Sequence, residues 1–204
     1  ASPSSIARQP ASTDPLLPPK EVMSVMQWVL IQSRDMKPGT LEWWTDPLSD
    51  NHARMESELR ELQRYVEHGW CFPRDNFQLP CRSAAPFLLR WLGVLPEPIV
   101  PPQAIQAIQG LNAELTDERR SKRGRLLREL KELPRVVLLT VLCFFGQISS
   151  RHGSFFSDFP ARLACALTQQ APAPEMALWL IHVLTEEVKA ERRFPPLQTI
   201  GAYS

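Results

Sequence analysis

No helix can run through Leu95-Pro96-Glu97-Pro98-Ile99-Val100-Pro101-Pro102. Each proline lacks an amide proton and pushes the residue before it out of the α region. The segment must be an extended corner, and it closes an apolar helical run, Phe87-Leu88-Leu89-Arg90-Trp91-Leu92. A second Leu-Pro pair, Leu133-Pro134, opens the most hydrophobic run of the chain, Val136 to Ile148. Proline is tolerated in a first helical turn because the amide it lacks has no intrahelical partner there. Two apolar helices, one closed and one opened by proline, therefore set the frame.

The remaining elements follow from spacing and punctuation. Residues 1–18 are rich in Ser, Pro, Ala and Thr and read as a disordered linker. Pro18-Pro19 then opens a helix with Val22, Val25, Met26, Val29 and Leu30 on one face, ended by Met36-Lys37-Pro38-Gly39. Leu41 to Leu48 is irregular. Ser49 or Asp50 is placed to cap a second helix with the inner stripe Met55, Leu59, Leu62 and Val66, an i,i+4 pair of Glu56 and Arg60 outside, and Gly69 as its stop. Ser83 is expected to cap the third helix, with Leu88, Leu89, Leu92 and Leu95 facing inward.

Past the corner, Ile105, Ile108, Leu111 and Leu115 recur at helical spacing. The charged stretch Asp117 to Arg128 then leads to Leu126, Leu127, Leu130 and Leu133. Asp158 with Pro160 starts a helix carrying Leu163, Ala166 and Leu167. A last helix carries Met176, Leu180, Ile181, Leu184 and Val188, and Pro195-Pro196 stop it. No segment alternates with period two for long enough to be a strand. The expectation is an all-α bundle of about eight helices, one domain over residues 19–194, with 195–204 as a tail.

Composition excludes several classes. A net charge of +1 over 204 residues gives no strong pull toward nucleic acid or membrane. The apolar run Val136–Ile148 is shorter than the roughly 20 residues that cross a bilayer. The four cysteines, Cys71, Cys81, Cys143 and Cys165, have no C-x-x-C spacing and suit a reduced, intracellular compartment. The first residues, Ala1-Ser2-Pro3, carry no leader pattern and read as a cut from a longer chain. There is no H-E-x-x-H, no G-x-S-x-G, no Gly-rich phosphate loop and no paired Cys/His set. His52, His68, His152 and His182 fall in unrelated positions. No metal or cofactor is expected.

The helix closed by L-P-E-P-I, with a later helix opened by L-P and carrying Val141, Phe144, Phe145 and Ile148 at 7, 10, 11 and 14 residues past its proline, resembles the Rho GTPase-activating (RhoGAP) domain. The later Arg162-Leu163-Ala164 block extends the similarity, which runs over residues 20–192. In active members an arginine in a G-[IL]-F-R string stabilises charge on the phosphate being transferred, an effect of about 10³–10⁵ in rate. The matching string here is Glu42-Trp43-Trp44-Thr45, so Thr45 stands at the arginine position. Leu89 stands where the family has a lysine and Arg162 where it has an asparagine. This loss, together with Leu133-Pro134-Arg135, resembles the RhoGAP-like domain of inositol polyphosphate 5-phosphatases of the oculocerebrorenal (Lowe) syndrome type. The resemblance implies a cytoplasmic docking module, recruited to endosomal or plasma membranes. It binds Rac-like, Rho-family GTPases and short phenylalanine-and-histidine peptides of endocytic adaptors, without accelerating GTP hydrolysis. Membrane contact is then expected only through partners or a larger parent protein.

Candidate partner-binding residues are Trp43 and Trp44, because aromatics dominate interface energetics; Trp44 alternatively fills the core position of the family's Phe. Arg90 and Arg162 lie beside or on positions that contact the GTPase in active members. Arg119, Arg120, Lys122, Arg123, Arg125 and Arg128 put six basic residues within ten, suited to an acidic protein surface or anionic lipid, or simply to a solvated helix face. Trp179 and His182 lie off the expected inner stripe of the last helix and are alternative groove residues. A true activator would need a displaced arginine, Arg54 or Arg82. A purely structural helical domain is the remaining alternative.

Overall fold

The computed structural model describes residues 20–41, 51–69, 81–112, 115–153 and 158–184. Among them are eight α-helices and no strand: α1 (Lys20–Asp35), α2 (His52–Glu67), α3 (Ala84–Gly93), α4 (Pro102–Ile105), α5 (Thr116–Glu129), α6 (Glu132–His152), α7 (Phe159–Thr168) and α8 (Pro174–His182). The protein is all-α. Helix α3 sits among α1, α2 and α7; α7 in turn packs on α8, and α1 on α6.

One continuous core joins these layers. On α6, Leu138, Val141, Leu142, Phe144, Phe145 and Ile148 are all essentially solvent-free. Phe145 meets Phe144 and Phe159 edge-on, with ring centroids 5.0 and 4.7 Å apart, and so locks α6 to the start of α7. The run read as too short to span a bilayer belongs to a 21-residue helix, which by length and composition alone could cross one. Its buried apolar face makes it a core helix of this fold. The end of α6 is tied to the end of α1, where His152 Nε2 lies 3.1 Å from the Ser33 carbonyl and Arg151 donates to the Arg34 carbonyl.

The proline corner is pinned rather than loose. Ile99 and Val100 are buried. The Val100 amide donates to the Leu167 carbonyl at 2.9 Å, and Gln169 Nε2 donates to the Leu95 carbonyl at 2.6 Å. Gln169 can reach back because it ends α7 in the left-handed region, at φ 53°. Two hydrogen bonds thus hold the end of α3 and the corner after it against the end of α7.

Several expectations need correction. Helix α1 buries more than one stripe: Met23, Trp28 and Ser24 are enclosed along with Val22, Val25, Met26 and Val29. The residue flanking α2 is Asn51, without a side-chain cap; Ser49 and Asp50 lie outside the described residues, as does most of Leu41–Leu48. Glu56 does not pair with Arg60, which donates instead to the Glu56 backbone carbonyl at 3.2 Å. Ser83 precedes α3 but does not cap it. The run through Leu115 is broken. Helix α4 tightens into a 3-10 turn at Gln106–Ile108, Gly110 then turns the chain at φ +65°, and Leu115 is left 54 % exposed at the head of α5. Leu133 is exposed as well. In the last segment Met176, Leu180 and Leu184 are buried as expected, but Ile181 faces solvent and Trp179, expected off the stripe, is 2 % exposed. Val188 lies outside the described residues.

Candidate functional site

The resemblance puts the polar contacts of an active member at Thr45, in an irregular segment, and at Leu89 and Arg162, on two helices, and finds all three replaced. Trp43, Trp44 and Thr45 lie outside the described residues. Leu89 falls on α3 and Arg162 on α7, helices that pack directly on one another. Leu89 is half-buried against the core. It can contribute shape there but no charge. Arg162 donates through Nε to Asp158 Oδ2 at 2.6 Å, one turn back on its own helix. Asp158 therefore holds Arg162 rather than capping the first turn of α7.

Arg90 is bound across the α2–α3 seam, donating to the Glu56 carboxylate through both Nη1 and Nη2. That hydrogen bond holds the Glu56 carboxyl below its ordinary value, with burial opposing and the Arg90 charge adding to the shift. Beside it, Leu59, Val66, Phe87, Trp91 and Val94 line an apolar groove of about 530 Å³ between α2 and α3, with Val94 at its lip. Neither the groove nor the Arg90–Glu56 contact was read from sequence. The signal was present in Trp91 and Val94, which each precede an inward leucine by one position and widen the α3 stripe on one side.

A second feature missed in the sequence is Glu58. It is buried and accepts from Arg82 Nε at 3.2 Å, from Arg82 Nη2, and from Ser83 Oγ at 2.5 Å. Arg54 Nε approaches at 3.4 Å. The clue lay in spacing, since Glu58 follows Met55 by three residues and precedes Leu62 by four, on the edge of the inner stripe. A buried carboxylate needs this many donors to offset its lost hydration.

The basic stretch on α5 does not act as one face. Lys122 is buried and donates to the Gly110 carbonyl and, at 2.7 Å, to Glu118. It fastens α5 to the turn after α4. Arg119 is half-buried, with Nη1 3.2 Å from His182 Nδ1, and so joins α5 to α8. Arg123 is half-buried too, whereas Arg120, Arg125 and Arg128 are exposed. Trp179 is a core residue, which removes it from any groove on α8. Among the described residues no group of three or more His, Cys, Asp or Glu side chains is placed to hold a metal. Comparison with protein-family models gives no match to the chain, and no curated protein matches it.

Proposed function

We propose that this chain is a RhoGAP-like interaction module without GTPase-activating activity. It docks Rho-family GTPases of the Rac type, short peptides of endocytic adaptors, or both, as part of a larger intracellular protein of phosphoinositide-phosphatase type. The observation that carries the reading is the α3–α7 pair clamped by the L-P-E-P corner. Leu89 and Arg162 occupy neighbouring helices there, and neither offers the polar contact that a GTPase active site needs. Leu89 is apolar, and Arg162 is engaged by Asp158. With Thr45 at the finger position and Leu89 at the lysine position, neither of those places supplies a cation to the transferring phosphate, and the guanidinium at the third, Arg162, is paired with Asp158.

The test is single-turnover GTP hydrolysis by a panel of Rho-family proteins with equimolar domain, alongside a binding titration of the same proteins. Measurable binding with unchanged hydrolysis supports the module. Acceleration above about tenfold, or ~1.4 kcal/mol of barrier lowering, refutes it. The competing reading, an activator with a displaced arginine, is weakened for Arg82 because both its Nε and Nη2 are held by the buried Glu58. Arg54 is 67 % exposed and remains the arginine to remove if acceleration is seen.

A further inference from the structure

Charge is distributed unevenly in this chain. Residues 115–135 hold eight basic and four acidic side chains, a net of +4, while the whole chain carries +1. Everything outside this segment is therefore net negative. Within it, the inward cations have internal duties: Lys122 is bound to Gly110 and Glu118, and Arg119 contacts His182. Arg120, Arg125 and Arg128 are different. All three are exposed, and none makes an ion pair or a hydrogen bond among the described residues.

At about 100° per residue, these three arginines share one outward arc of α5, opposite the buried Lys122 and Leu126. Gly124 lies between Arg120 and Arg128 on that arc and adds no side chain to shield them; the Arg128 guanidinium passes 3.9 Å from where its β-carbon would be. The arc spans about 12 Å along the helix axis from Arg120 to Arg128. Asp117 shares it and trims the charge without cancelling it. Beyond the two ends of the helix stand exposed leucines, Leu115 before it and Leu133 after it. Exposed guanidiniums that are unpaired among the described residues, on one arc of a helix whose chain continues into an exposed leucine beyond each end, match an interface that offers both anionic head groups and an apolar layer beneath them.

We infer that the outer face of α5 docks directly on anionic lipid surfaces through Arg120, Arg125 and Arg128, with Leu115 and Leu133 at its margins. The inference is independent of any RhoGAP-like identity, because it uses no residue of the α3–α7 pair. Each basic side chain near such a surface strengthens partitioning about fivefold, so removal of three charges should weaken it by about a hundredfold.

The experiment is co-sedimentation of the full 204-residue chain with phosphatidylcholine vesicles, with or without about a third phosphatidylserine, at low and high salt. The probe variant is Arg120→Gln/Arg125→Gln/Arg128→Gln, and an unchanged thermal melt confirms that it folds. The expected result is binding to the serine-containing vesicles only, lost in high salt and weakened about a hundredfold in the triple variant. No binding of the unmodified chain, equal binding to neutral vesicles, or undiminished binding by the triple variant would each overturn the inference. Failure to bind vesicles with charge-dependent capture on a polyglutamate matrix would instead assign the face to an acidic protein, and would equally overturn the lipid reading. Should folding of the triple variant fail, Arg125→Gln alone, about fivefold weaker, serves as the measurement.

Discussion

The most exacting test of this fold is removal of the charge on Glu58. Its carboxylate joins α2 to the head of α3 through Arg82 and Ser83, and its side chain is only 9 % exposed while that of Arg82 is 25 % exposed. Glu58→Gln keeps the volume but leaves one acceptor oxygen and turns an NH₂ toward groups that donate. Breaking a fully buried pair costs about 3–5 kcal/mol. The exposed quarter of Arg82 lets water reclaim part of that, so about 2–3 kcal/mol is expected, or a fall in melting temperature of roughly 4–10 °C for a domain of this size. Urea unfolding of Glu58→Gln, Arg82→Met and the double variant supplies a cycle, in which a coupling of about 1–2 kcal/mol is expected. Arg54→Ala is the control. Its guanidinium is two-thirds exposed, and its loss should change stability by less than about 0.5 kcal/mol. If Glu58→Gln is as mild as Arg54→Ala, the carboxylate is solvated and the α2–α3 seam has been misread.

Leu142→Ala should destabilise by about 2–5 kcal/mol in the same assay, because the side chain is enclosed in the middle of α6; less than ~1 kcal/mol would make that helix peripheral. Glu56 has a folded-state pKa held below its ordinary 4.5 by Arg90, so the stability it contributes is present above about pH 4.5 and is lost as pH falls through the depressed value. Arg90→Ala should raise the Glu56 pKa toward 4.5 when followed by NMR titration, and an unchanged value would show that the contact is not formed in solution. Burial pushes the Cys81 thiol to about 11 and also raises Cys143. In a Cys71→Ser background at pH 8, a thiol reagent should therefore modify the half-exposed Cys165 well before either, read by mass spectrometry, and prompt labelling of Cys81 would contradict its burial.

The fold class was legible because helix punctuation is local. Prolines at 96, 98 and 101 keep the corner out of a helix, Pro102 sits at the first position of α4, and Gly69 ends α2 at φ +67° as its position suggests. What escaped the sequence depends on tertiary neighbours. Periodicity marks a buried stripe only where the other side of a helix meets water, and α1 is enclosed well beyond one stripe, so Met23 and Trp28 were passed over. Partner choice among charges is equally non-local: Glu56 has Arg60 one turn away, yet pairs with Arg90 on another helix. The six-cation stretch read as uniform because sequence does not say which of its residues face the 3-10 turn, where Lys122 is buried. On α8, Trp179 and Ile181 differ by only two positions, and the packing of α8 on α7 decides which one enters the core.

On the RhoGAP-like reading proposed above, the α3–α7 pair accounts for a scaffold that outlasts its polar chemistry. Leu88 and Leu92 on α3 and Leu163 and Leu167 on α7 are completely buried. The positions at which that reading places the lost polar contacts, Leu89 and Arg162, are the immediate chain neighbours of Leu88 and Leu163 but are half-buried. Packing constrains the first set to apolar residues of fixed volume, since even one lost methylene is felt in a close-packed core. It leaves the second set nearly unconstrained, because a rim site accepts a leucine that covers the core or an arginine that folds back on Asp158 with little effect on stability. The corner adds no side-chain requirement at these two positions, since its clamp runs from the Val100 amide to the Leu167 carbonyl and from Gln169 to the Leu95 carbonyl. Polar residues at 89 and 162 can therefore be replaced while the frame stays intact. Any recognition that the frame still performs must be written in its exposed residues rather than in its core.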